Sequence, residues 1–454
     1  GWDDRDGRDE GEEADRERAD LQEAALVSAL RTHLRASLPE SMIPVKFLRL
    51  AALPLTPNGK VDRKALPDPE RVDLGIRGVA LPQTDIEQRI AQVWQSVLRL
   101  SVVGLDDSFF DLGGHSLAAL KVQAQLSEAL GRTVEFVEIF RRPTIRQLAA
   151  HLETAPSAEP PSSLVPIQVP PQSESTLPPI FAIHPIGGTV FFYRDLAQAL
   201  GPERPFWGLQ ARGFGPNEDP IDDLEAMAAR YVEAIVSTTR LDKGRPIHLV
   251  GASMGGTVAF EMARQLRARG ASVGVLALFD TPGWGQTQIR DERLATLAMV
   301  DMLTAGRLRM PAEQLLGLDS ERQVDRIWAE ANARGITTDG VTREHLGALR
   351  RVIDANQRAV ANYPPRTYEG HLVYFRAENR ATTETTEAMV GDAAEAAPAL
   401  ELPETPWFDA ALGGVEVHVV AGDHQSMLRP PNVSGLAEIL ARHLASVEAS
   451  NRER

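Results

Sequence analysis

His248-Leu249-Val250-Gly251-Ala252-Ser253-Met254-Gly255-Gly256 is the stretch that decides the fold. Residues 247–250 form a short apolar run that reads as a buried strand, and a helical pattern over 257–266 follows at once. Between them, Gly251-Ala252-Ser253-Met254-Gly255 fits the G-x-S-x-G nucleophile elbow. That spacing sets a serine on a sharp strand-to-helix turn, and the flanking glycines let the backbone pass without a Cβ clash. The hydroxyl is exposed, and the Met254 N–H at the helix N-terminus faces a developing oxyanion. The pentapeptide alone arises by chance, so the strand before it and the helix after it carry the reading.

Outward from the elbow, strands and helices alternate, as in an α/β domain with a mostly parallel sheet. Strands are expected at 180–184, 205–209, 273–279, 371–376 and 415–420, and helices at 192–200 and 221–237, the latter with Leu224, Ala228, Tyr231 and Ile235 on one face. The 273–279 strand ends in Asp280, where α/β enzymes place their sites. The 415–420 strand runs into Ala421-Gly422-Asp423-His424, a histidine in a glycine-containing loop. Ser253, Asp280 and His424 come in the α/β-hydrolase order, each after a strand, which makes them the expected nucleophile, orienting carboxylate and base. Asp423 competes for the carboxylate role, but a neighbouring residue rarely points at the same ring nitrogen, so Asp280 is preferred. His184-Pro185-Ile186-Gly187-Gly188 follows the first strand. It resembles the oxyanion loop of thioesterases, which implies the Ile186 N–H as one donor and the Met254 N–H as the other. His184 is read as structural. Helical patterns at 294–303, 323–333 and 343–362 form an insertion where such thioesterases carry a lid, about 283–362. Residues 381–398, low in bulky side chains, read as a loop.

A second motif lies upstream. Asp107-Ser108-Phe109-Phe110-Asp111-Leu112-Gly113-Gly114-His115-Ser116-Leu117 puts two glycines and then a hydroxyl at a helix N-terminus, a place that favours an attached phosphate. The plain alternative is a serine N-cap. Around it, Thr84 and Glu87 form a capping box for a helix with Ile86, Ile90, Val93, Trp94 and Val97 on one face. A second helix is expected over 116–130, with Leu117, Leu120, Val122 and Leu126 inward, and Thr144 caps a last one through Leu152. The 107–117 string is very similar to the attachment site of peptidyl carrier proteins. The resemblance implies a small all-α four-helix bundle over 82–153, with 4′-phosphopantetheine carried on Ser116, its thiol holding a peptide as a thioester. Residues 154–178, rich in Pro, Ser and Glu, read as a linker to the α/β-hydrolase domain at 179–449.

The first residues are a charged arm, followed by a helical pattern over 21–38. Leu38-Pro39-Glu40-Ser41-Met42-Ile43-Pro44 and Asn58-Gly59-Lys60-Val61-Asp62-Arg63-Lys64 resemble the closing motifs of an adenylation domain from a nonribosomal peptide synthetase. There the lysine matching Lys60 contacts the acyl-adenylate. No Gly-rich phosphate loop precedes it, so residues 1–68 are expected to be an arm and an inert remnant.

Composition bounds the rest. The chain has 454 residues, 43% hydrophobic, with net charge −15 and no cysteine. Disulfides, thiolate metal sites and a thiol nucleophile are excluded, the charge argues against nucleic acid, and no apolar run reaches membrane-spanning length. A cytoplasmic location is the expectation. The resemblances together imply the end of a nonribosomal peptide synthetase termination module. It would take a peptidyl thioester from upstream condensation and adenylation domains, be armed by a phosphopantetheinyl transferase, and release the peptide by hydrolysis or macrocyclisation. The competing readings are a stand-alone esterase with an idle helical appendage and a docking module with an inactive hydrolase fold.

Overall fold

A computed structural model describes residues 80–452 with interruptions, together with a few isolated positions before residue 80. The main interruptions are 155–162, 169–176, 215–217, 239–244, 284–309, 335–342 and 380–403. The expectations for the charged arm, the 21–38 helix, the adenylation-like motifs, the 294–303 helix and the 381–398 loop lie outside the described residues, isolated positions aside.

The upstream unit is helical: α1 (Asp85–Leu98), α2 (Ser116–Leu130), α3 (Phe136–Arg141) and α4 (Ile145–Thr154). The capping box closes reciprocally, Glu87 N–H donating to Thr84 Oγ1 at 3.2 Å and Thr84 N–H to Glu87 Oε2 at 3.0 Å. Ile90, Val93 and Trp94 of α1 are buried against Val122 and Leu126 of α2, Ile139 of α3 and Leu148 of α4. The short helix α3 carries no separate signal in the sequence reading. Its six residues are too few to display a helical period.

The following domain is a seven-stranded sheet: β1 (Leu164–Gln168), β2 (Ile180–Ile183), β3 (Phe206–Leu209), β4 (Ile247–Ala252), β5 (Val273–Phe279), β6 (Leu372–Ala377) and β7 (Val415–Val420). The order is β1-β3-β2-β4-β5-β6-β7. Every pairing is parallel except that of β1 with β3. Strand β1 corrects the expected linker, since five residues of 154–178 belong to the sheet. Pro166 masks it in the sequence, yet proline is tolerated on an edge strand, and the register shifts beside it.

Consecutive strand residues feed opposite faces. Val250, Ala277, Phe279 and Phe375 pack on one side with α11 (Val433–Arg452) and α5 (Arg194–Ala199). Leu249, Leu276, Leu278 and Tyr374 pack on the other, with α6 (Leu224–Thr238) and α7 (Met254–Ala268). A 3₁₀ turn, Phe191–Tyr193, precedes α5 where a single helix is expected. Helices α8 (Ser320–Ala333) and α9 (Arg343–Asn362) form a separate apolar cluster through Val324, Ile327, Leu349, Val352 and Ile353, joined by Phe214. Helix α10 (Thr405–Ala410) buries Trp407. The two units meet at aromatic rings: Phe191 stacks on Phe140 at 3.6 Å between centroids, and the Arg194 guanidinium lies over Phe110.

His184 directly follows β2, fully buried, its Nε2 2.7 Å from the Tyr231 hydroxyl. It is a structural histidine, and burial lowers its pKa to about 4. An unfolded chain binds a proton there near pH 6.5, so the folded state loses stability as pH falls from about 6.5 towards 4. Urea melts across that window should show the decline, and His184→Gln should reduce its slope.

Helix α7 packs so closely on the chain after β5 that a Cβ on Gly256 would lie 2.0 Å from Thr281 Oγ1, whereas one on Gly435 in α11 meets nothing within 4 Å. Gly256→Ala should cost roughly 1–3 kcal/mol by overpacking. Gly435→Ala should stabilise by up to about 1 kcal/mol through helix propensity. Chemical denaturation of both variants checks the contrast.

Candidate active site

The elbow has the geometry its sequence requires. Ser253 sits between β4 and α7 at φ 53, ψ −131, an unusual backbone for a residue with a side chain. The turn is held by Ser253 N–H donating to Phe279 O at 3.0 Å and Gly256 N–H donating to Ser253 O at 3.0 Å. Just upstream, Ala252 N–H donates to the Tyr193 hydroxyl at 2.7 Å, which itself donates to Ile183 O at 2.8 Å. Tyr193 thus ties the ends of β2 and β4 beside the serine. A Cβ on Gly255 would lie 2.4 Å from Ile183 O. The turn is therefore packed directly on the start of the loop that carries Ile186.

The carboxylate and the histidine come together across the sheet edge. Asp280 follows β5 with φ 44, its N–H donating to Phe375 O at 2.7 Å. One carboxylate oxygen, Oδ1, accepts from Ala377 N–H at the end of β6 at 3.2 Å. The other, Oδ2, lies 2.7 Å from His424 Nδ1. The β7 loop thus reaches back over β6 to the β5 end, and Asn379 N–H donating to Gly422 O at 2.9 Å fastens that loop. Gly422, at φ 97, has no room for a Cβ, which would fall 2.5 Å from Asn432 Nδ2.

Asp423 does not compete. Its Oδ1 accepts from Gln425 N–H, Ser426 N–H and Ser426 Oγ at 3.0, 2.8 and 2.8 Å, so it caps its own loop. Burial raises its pKa, and those hydrogen bonds more than offset this, leaving it below the usual carboxylate value. Among the described residues, the hydrogen bonds join His424 to Asp280 but not to Ser253.

One residue at the site is absent from the sequence reading. Asn356 of α9 is 1% exposed and donates through Nδ2 to Ile186 O at 2.8 Å. It fixes the peptide plane after Ile186 from a position 170 residues away. A single buried asparagine in an amphipathic helix gives no local signal of such a contact. Ile186 itself packs against both the sheet cluster and the α8–α9 cluster.

In the upstream unit, Ser116 is the first residue of α2. Gly114 N–H donates to Phe109 O at 2.9 Å, and a Cβ on Gly114 would fall 2.4 Å from the Phe109 ring. Only glycine fits where the chain turns over Phe109 into the helix.

With this geometry in hand, the comparisons with known proteins are consistent. A thioesterase-domain family model matches residues 178–444, and a phosphopantetheine attachment-site model matches residues 88–152. The dimodular nonribosomal peptide synthase of Bacillus subtilis (strain 168) is 34% identical over 348 residues, 76% of this chain and 14% of that protein. Malpibaldin synthetase of Mortierella alpina is 32% identical over 410 residues, 90% of this chain and 7% of that one. The chain thus spans only a small part of the length of these curated relatives. Among solved structures, a holo four-domain nonribosomal peptide synthetase bound to AMP and glycine superposes with a TM-score of 0.53 at 25% identity, covering 91% of this chain and 30% of that one. The chain belongs to the thioesterase domain family, and it carries a phosphopantetheine attachment site ahead of that domain, in the arrangement of nonribosomal peptide synthetases.

Proposed function

We propose that this chain is the carrier–thioesterase end of a nonribosomal peptide synthetase, releasing a finished peptide through a Ser253–His424–Asp280 triad. The observation that carries the reading is the 2.7 Å hydrogen bond from His424 Nδ1 to Asp280 Oδ2, made at the sheet edge where the strained Ser253 turn also ends. In this scheme Asp280 keeps the proton on Nδ1 and leaves Nε2 as the base. His424 takes the proton of Ser253 Oγ as that oxygen attacks the thioester carbonyl. The Ile186 and Met254 N–H groups stabilise the tetrahedral oxyanion. The thiolate leaves as a thiol with the proton from His424, and an acyl ester remains on Ser253. His424 then activates the acceptor, water or a nucleophile within the peptide, and the product is a linear acid or a macrocycle.

Ser116 is the proposed attachment point of 4′-phosphopantetheine, whose thiol supplies the thioester. The fit rests on Gly114, whose place no side chain could occupy, and on the start of α2 at Ser116, where free N–H groups suit a phosphate. A phosphopantetheinyl transferase and upstream condensation and adenylation domains are the partners this implies. Helices α8 and α9 serve as the lid that excludes water and shapes the acyl pocket, and among the described residues they are the helices of the insertion expected over 283–362. Among the described residues no helix is long and apolar enough to cross a membrane.

Incubation with coenzyme A and a broad phosphopantetheinyl transferase should add one arm, mapped to Ser116, and Ser116→Ala should take none. Peptidyl thioester turnover by the wild type should vanish in Ser253→Ala. Turnover surviving that change would remove the triad assignment. Product mass separates the two outcomes, since the macrocycle lacks one water. Asn356→Ala should lower kcat by about tenfold, some 1.4 kcal/mol of transition-state stabilisation. KM should stay within about twofold, because Asn356 steadies the backbone next to the Ile186 N–H, which acts on the oxyanion rather than on the bound ester.

A further inference from the structure

Away from the triad, on the outer edge of the sheet, three metal-ligating side chains converge. Glu416 and His418 lie two residues apart on β7 and so point to the same face of this edge strand. His443 comes from α11, which packs over that face. His418 Nε2 and His443 Nε2 are 2.9 Å apart. Glu416 Oε1 is 3.1 Å from the first and 3.7 Å from the second. The two imidazoles are about four-fifths buried and Glu416 is half exposed, so the triangle opens to solvent on one side.

With one Nε2–H between two neutral imidazoles, the proton can serve either the second ring's lone pair or the Glu416 carboxylate, so one acceptor of the three converging atoms is left without a donor from the group. A cation there accepts all three. The triangle has the right size: bonds of about 2.0–2.1 Å to a tetrahedral zinc put neighbouring ligand atoms about 3.3 Å apart. Each observed separation lies within about half an ångström of that value. Two imidazoles and one carboxylate, with the fourth position facing water, are a donor set for a borderline transition cation, and magnesium or calcium would demand more oxygen.

We propose that Glu416, His418 and His443 form a zinc-class metal site that clips the edge strand β7 to the C-terminal helix α11. The strand it holds leads directly into the loop carrying His424, so the clip supports that loop without touching the reacting atoms.

The test uses the whole chain, stripped with EDTA, dialysed, and titrated with zinc chloride by calorimetry. One zinc per chain is expected, and at a hundredfold excess over Kd the melting midpoint should rise by roughly 5 °C. His418→Gln and His443→Gln should each weaken binding at least tenfold and abolish the melting shift. Should either variant fail to fold, Glu416→Gln, at a half-exposed position, should fold normally and still weaken binding. Magnesium chloride should produce no shift. Absence of saturable zinc binding would overturn the site. So would binding undiminished in the Glu416, His418 and His443 variants, or lost in a folded His424→Gln chain instead.

Discussion

Much of the domain is arranged around one strained residue. Ser253 is held at positive φ, at a cost of order 1–3 kcal/mol that its surroundings must offset. The turn survives because it is wedged. A Cβ on Gly251 would lie 2.1 Å from Gly255 O, and those on Gly255 and Gly256 would strike β2 and the chain after β5. Three glycines therefore stand where the strand, the turn and the helix meet at backbone contact distance. The tyrosine bridge from Ala252 to Ile183 adds a polar tie on the β2 side. The turn that presents the serine is held by packing and backbone hydrogen bonds, with no cap bond from the serine side chain itself.

The strand order carries that rigidity sideways. Because β4, β5, β6 and β7 run parallel and adjacent, their C-terminal ends lie in one row. Asp280 links the two strands beyond its own in that row, taking Ala377 N–H of β6 with one oxygen and His424, just past β7, with the other. The carboxylate acts as a spacer between the β5 and β7 ends as much as an electrostatic partner. From α9, Asn356 donates to Ile186 O, so the helical layer beyond the sheet also fixes the backbone at Ile186. The α9 layer and the loop at Ile186 are thus joined by a direct hydrogen bond.

How much of this the sequence reveals depends on whether the signal is local. The elbow, Asp280 and His424 are legible because each follows an apolar run and the spacing within the motif is itself the geometry. The Thr84–Glu87 capping box is legible for the same reason. Strand β1 was not, since Pro166 and a polar, proline-rich neighbourhood imitate a tether, and only pairing with β3 makes it a strand. Helices α10 and α11 are not evident in the sequence, the first because six residues show no period. Asn356 and the His418–His443 pair depend on contacts between distant segments that no window of sequence contains. A clue to the latter was present, a glutamate and a histidine at strand spacing.

The place of β1 in the sheet has a geometric consequence for the upstream unit. If residues 164–168 are anchored, only Ala155 through Ser163 separate the end of α4 from a fixed point on the thioesterase domain. Fully extended, that stretch spans roughly 30 Å. The helical unit is on a short leash, fastened at the sheet's β1 edge, at the opposite end of the strand order from β7. Such a leash keeps the end of α4 within that reach of the β1 edge. It also makes the leash length, which a few inserted residues would change, a property as adjustable as any side chain in the pocket.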